Sequence, residues 1–140
     1  MNETQAIILF VAALAVVVAY GIRERSRRRE AAEVARTLVP EIRTVLASLE
    51  TEPVEPLEYA HLRERLPRVF PKDTLFAVET FYQCNDALRE ASAAMAAAFT
   101  EGSELSLGDR IRAKDRRDRC LKDVHYTGAA AVERLSRYLP

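Results

Sequence analysis

The chain contains no tryptophan, 4 glycines, 2 cysteines and 2 histidines in 140 residues. Each shortage narrows what it can be. Glycine serves tight hairpin turns and phosphate-cradling loops, so neither a many-stranded sheet nor a Gly-rich nucleotide loop is expected. Cys84 and Cys120 lie far apart and outside any CxxC spacing, which makes them two free thiols in or near a core rather than a metal or redox motif. A predominance of one charge sign is missing too, because Lys+Arg 21 balance Asp+Glu 21. Charges of both signs are interspersed after residue 30, a poor arrangement for general nucleic-acid binding. What abounds is alanine and arginine, which favours helices.

One long apolar run stands out. Ala6 to Ile22 carries no charge, and Arg23, Arg25, Arg27, Arg28 and Arg29 follow at once. At about 1.5 Å per residue the run spans roughly 25 Å as a helix, slightly short of a hydrocarbon core of about 30 Å. Thr4 and Gln5 can lengthen it, the arginines can snorkel outward, and Tyr20 sits where an interfacial aromatic belongs. A cleaved signal peptide is the main rival, with Val17-Val18-Ala19 as small residues near a cleavage point. Met1-Asn2-Glu3-Thr4 offers no basic n-region, however, and the dense Arg block would resist export. Ile7 to Val18 also lacks any polar face, unlike a surface helix of a soluble protein. The expectation is a retained single-pass anchor. By the positive-inside rule its N-terminus lies outside and the rest of the chain in the cytoplasm, at the cell membrane.

The chain then divides into an anchor at residues 1–22, a basic juxtamembrane segment at 23–30, and one helical domain at 31–140. Ala31, Ala35, Leu38, Ile42, Val45 and Leu49 recur at spacings of three and four and form one stripe of a helix that continues out of the anchor. Pro40 interrupts it, predicting a kink or a restart with Pro40 in the first turn of a new helix. Thr51 to Pro56 is a linker. A short helix follows over Leu57–Leu66, with Leu57, Leu62 and Leu66 as its contacts, and Pro67 and Pro71 bracket a loop that tucks Val69 and Phe70 inward.

Asp73 or Thr74 can cap the next helix, which extends to about Phe99. Ala77, Cys84, Ala91 and Ala98 alternate along it with Phe81, Leu88 and Met95, a small-and-large seam that lets a second helix approach closely; Val78 and Phe99 widen it. Ser106 and Asp109 resemble a capping box for a last helix running from about Leu107 towards Tyr138. Its first half is charged and its second half broadly apolar. The fold class expected is all-α: one transmembrane helix followed by a small antiparallel bundle.

Few residues offer chemistry. Glu58, His61 and Glu64 can share a helix face, but a di-iron site needs a second Glu-x-x-His, and Lys122 stands three residues before His125 where that glutamate would be. Cys120 and His125 point away from each other on one helix, and His125 is expected on its half-buried side. There is no nucleophile elbow. No catalytic residue, metal site or cofactor is expected, and the chain is not expected to be an enzyme.

Two basic surfaces remain. Arg23, Arg25, Arg27, Arg28 and Arg29 are the expected membrane-surface contact. Arg110, Arg112, Lys114, Arg116, Arg117 and Arg119 form either a solvated face laced by pairs such as Asp115–Arg119 and Lys114–Asp118, or a second contact to anionic lipid or an acidic partner. If the helix from Thr74 returns antiparallel to the first cytoplasmic helix, this second patch lies beside the first. If the Leu57–Leu66 segment makes the return, it points away. The function expected is a non-catalytic membrane-anchored scaffold that presents a helical surface to a protein partner. The alternative is an accessory subunit of a membrane enzyme or sensor complex whose site forms only with that partner.

Overall fold

The computed structural model describes residues 3–51 and 54–140, so Glu52 and Pro53 of the expected linker and Met1-Asn2 lie outside the described residues. Five helices follow in order: α1 (Glu3–Ser48), α2 (Leu57–Leu62), α3 (Leu66–Val69), α4 (Lys72–Ala98) and α5 (Leu107–Ser136). No strand occurs among the described residues.

α1 is a single helix of 46 residues, roughly 70 Å long. Its two ends live in different surroundings. From Ala6 to Ile22 every side chain is exposed, and this stretch is the one among the described residues long and apolar enough to cross a membrane. From Ala31 onward the expected stripe is buried, together with Val34 and Val39. Pro40 lies inside the helix and does not restart it. The packed neighbours Leu38, Val39 and Ile42 hold the backbone on both sides of the proline. Arg36 and Pro40 are exposed, so water can donate to the Arg36 carbonyl in place of the N–H that Pro40 lacks.

Residues 54–71 make the return along α1. Glu58 and Tyr59, at the start of α2, donate their backbone N–H groups to Glu41 of α1, and Arg65 reaches Glu30 at 3.0 Å. α2 stops at Leu62, earlier than expected, because Arg63–Arg65 form a turn before a one-turn α3. Leu57 is exposed rather than a contact, whereas Leu66, Val69 and Phe70 are buried as anticipated.

α4 therefore starts beside the upper part of α1 and runs parallel to it, with Tyr82 level with Glu41. The expected antiparallel return of α4 is not found: α2 and α3 have already covered that path. α5 runs antiparallel to both, and α4–α5 is the most extensive helix contact. The cap of α4 also differs from expectation. Pro71 occupies the N-cap, Thr74 is buried against the Tyr138 hydroxyl at 3.4 Å, and Asp73 forms an ion pair with Arg134. At α5 the capping box is present, with Ser106 Oγ accepting from Asp109 N at 3.1 Å.

The seam along α4 packs as its pattern implies. Phe81, Leu88, Ala91 and Ala98 are buried and Cys84 is half-buried, while Phe99 is exposed at the helix end. The closest approach lies opposite it. A Cβ built on Gly128 of α5 would come within 2.7 Å of Leu46 on α1 and 3.1 Å of Phe81 on α4. Gly128 is where the three long helices meet.

Candidate functional site

Distances along the helices separate the two basic surfaces. Tyr138 and Arg137, at the end of α5, border the same cleft as Arg27 and Arg28. Counting back along α5 at 1.5 Å per residue puts Arg119 to Arg110 roughly 30–40 Å from that level. The second patch is thus remote from the first, and the geometry that would join them is excluded by the course of residues 54–71.

Around the Arg block the fold gathers cations that lie far apart in sequence. Arg23, Arg25, Arg27, Arg28 and Arg29 are all exposed, and Arg28 pairs with Glu24 at 3.0 Å. α3 is fastened beside them by the burial of Leu66 and Val69 and by the Arg65–Glu30 ion pair, which carries Arg68 to this level. The end of α5 is fastened by Tyr138, whose ring meets Phe70 edge-on at 5.0 Å, and this brings Arg137.

Two clefts result. One, of about 850 Å³, is lined by Tyr20, Ile22, Arg23 and Arg27 of α1 and by Arg68 of α3. The second, of about 490 Å³, is bordered by Arg27, Arg28, Arg137 and Tyr138. Arg27 is shared by both. Sequence reading found the Arg block but not Arg68 or Arg137. The only hint was the Pro67/Pro71 bracket with its inward-turned Val69 and Phe70.

The distal patch sits on an arm. Residues 54 and 55 still meet α4 at Asn85 and Arg89, and α4 and α5 continue roughly 13 Å beyond Arg89. Every hydrogen bond and ion pair of residues 90–119 among the described residues stays within this hairpin. Arg112 pairs with Asp109, and Arg117 meets Asp118 at 3.6 Å. The expected Asp115–Arg119 and Lys114–Asp118 pairs are not formed; Arg119 instead donates to the Asp115 carbonyl at 3.4 Å. The Ser106 hydroxyl and then Arg112 hold the Asp109 carboxyl below its ordinary pKa. Ile111 and Leu107 are exposed on the same arm.

A third feature was invisible in the sequence. The Glu41 carboxylate accepts the Tyr82 hydroxyl at 2.7 Å, Glu58 N at 2.7 Å and Tyr59 N at 3.1 Å. It thereby serves as the N-terminal cap of α2, whose own N-cap residue is Pro56 with no side-chain acceptor. The Tyr59 and Tyr82 rings stack 3.8 Å apart above it. Burial first, and then the bond to Glu41, push the Tyr82 hydroxyl far above the usual phenol range. This arrangement joins α1, α2 and α4.

The remaining reactive side chains are scattered. His61 and His125 are both exposed, the latter contrary to the half-buried position expected for it. Glu64 lies in the turn after α2 rather than on its face with Glu58 and His61. Cys84 and Cys120 are free and half-buried at the α4–α5 contact, and burial is the main influence raising the Cys84 thiol pKa. No group of three His, Cys, Asp or Glu among the described residues is arranged to hold a metal ion. Comparison of the chain with family models, with curated proteins and with solved structures yields no match.

Proposed function

We propose that the chain is a single-pass membrane protein with its N-terminus outside and its helical domain in the cytoplasm, acting as a non-catalytic scaffold. In this reading residues 6–22 are the anchor, Arg23 to Arg29 meet the cytoplasmic lipid surface, and the α4–α5 arm presents a helical surface to a protein partner. The observation that carries the reading is the arm itself. A domain built only for its own stability has little use for two helices that continue roughly 13 Å past the rest of the fold.

The arm's mixed surface suits a partner with both charged and apolar features. Exposed Leu107 and Ile111 lie among Arg112, Arg116 and Asp115, the mixture of apolar contact and charge steering typical of non-obligate protein interfaces.

Site-specific photo-crosslinking in cells tests this. A photoreactive residue at Ala94 or Ile111 on the arm should give a discrete protein adduct, while the same residue at Arg36 on α1 should not. Arm positions that give no more adduct than Arg36 contradict the reading.

A further inference from the structure

We propose that the cleft between the apolar run of α1 and α3 is a binding site for the phosphate headgroup of an anionic phospholipid, with Arg68 as its remote cation. The proposal rests on the membrane reading above and adds a defined site to it. Three observations carry it. The cleft straddles a polarity boundary: along α1 its lining passes from Ala19, Tyr20 and Ile22 to Arg23 and Arg27, and α3 adds Arg68. A phospholipid has this same division, with acyl chains that fit an apolar helix surface and a phosphate that fits guanidinium groups.

Secondly, the acids bordering the cleft are already occupied. Glu24 is paired with Arg28 and Glu30 with Arg65, each at 3.0 Å. Arg23, Arg27 and Arg68 have no ion-pair partner among the described residues. The cleft therefore presents three uncompensated cations, not a balanced network.

Thirdly, the backbone that carries Arg68 is held in place. It belongs to a one-turn helix whose Leu66 and Val69 are buried, with Arg65 tied to Glu30 alongside. The return of residues 54–71 along α1 thus ends by bringing Arg68 to the same cleft as Arg23 and Arg27. A cation carried on a packed backbone distinguishes a site from the diffuse attraction of an arginine-rich tail to a charged surface.

The absence of tryptophan supplies a clean test. The full-length chain carrying Val18→Trp, next to but outside the cleft wall, is reconstituted in bilayers doped with brominated phosphatidylglycerol or brominated phosphatidylcholine. Quenching of the single tryptophan reports which lipid lies beside it. The anionic lipid should quench more strongly at equal mole fraction. Arg68→Gln should lower that preference on the order of fivefold, from about 1 kcal/mol per surface cation. Arg68→Lys should keep most of it, and Arg112→Gln on the distal arm should leave it unchanged.

An Arg68→Gln preference equal to the parent's overturns the site while leaving the membrane reading intact. No quenching by either brominated lipid overturns the membrane reading itself. Loss of the parent's preference in millimolar inorganic phosphate, but not in chloride of equal ionic strength, identifies a soluble phosphate as the ligand and overturns the lipid assignment. If Arg68→Gln loses helix by circular dichroism, Arg27→Gln carries the same expectation from α1.

Discussion

Tyr82 and Glu41 are 41 positions apart in sequence and 2.7 Å apart in space, the phenol donating to the carboxylate. This one bond sets the register of α4 along α1. The same carboxylate caps α2, so its loss strands three donors at once. Tyr82→Phe should lower stability by about 1–3 kcal/mol, the range for a hydrogen bond to a charged group. Glu41→Ala should cost more, because it also uncaps α2. The double variant should fall short of the sum, since both changes break the same bond. Denaturant unfolding of the four proteins measures the coupling, and strict additivity would show that the two side chains do not interact.

Alkaline pH should loosen the same junction. The folded-state pKa values of Tyr59 and Tyr82 are raised above the ordinary value of 10.0, chiefly by burial. Folding therefore favours the protonated phenols. Their contribution to stability is fully present below the unfolded value near 10 and declines as pH rises above it, because the unfolded chain then releases protons that the folded chain retains. Melting temperature should fall above about pH 10, less steeply in Tyr82→Phe. Phenolate absorbance should show Tyr82 ionising only as the chain unfolds. A Tyr82 that titrates at the ordinary value in the folded protein would contradict its burial.

The meeting of α1, α4 and α5 leaves little room for added volume. Gly128→Leu should destabilise by about 1–3 kcal/mol or more, through overlap with Phe81 and Leu46. Gly128→Ala should cost less, because the Leu46 methyls can turn aside and alanine favours the helix by about 1 kcal/mol. Ala91→Leu, on the buried seam of α4, should cost a similar 1–3 kcal/mol or so. Thermal melts check the order, and an unchanged Gly128→Leu melt would refute the close approach.

The core begins at Ala31, and no residue before it is buried among those described. A fragment from Glu30 to Pro140 should accordingly fold alone as an almost wholly helical protein. Circular dichroism with a substantial β component, or a non-cooperative melt, would contradict this.

How far the sequence reached depended on the range of each interaction. The stripe from Ala31 to Leu49, the seam through Phe81 and Leu88, and the Ser106–Asp109 cap are local patterns, and all are present. Pro40 does not restart the helix, because packing on both sides of it outweighs the lost backbone donor. The direction of α4 could not be read, because it turns on Glu41 and Glu30 capturing groups from α2 and the turn before α3 across long stretches of chain. The same limit hid Arg68 and Arg137. A cation becomes part of a cleft only through the path of the backbone, and nothing in the spacing of residues 65–71 states where that path leads.

Topology is the measurement on which the account turns. Full-length fusions carrying alkaline phosphatase or green fluorescent protein after Pro140 should give an inactive phosphatase and bright fluorescence, with the protein in the membrane fraction and resistant to alkaline extraction. That result places the helical domain in the cytoplasm beside the Arg block, as the positive-inside rule requires. An active phosphatase with dark fluorescence, or a mature chain that begins near Tyr20, would contradict the retained anchor and its orientation.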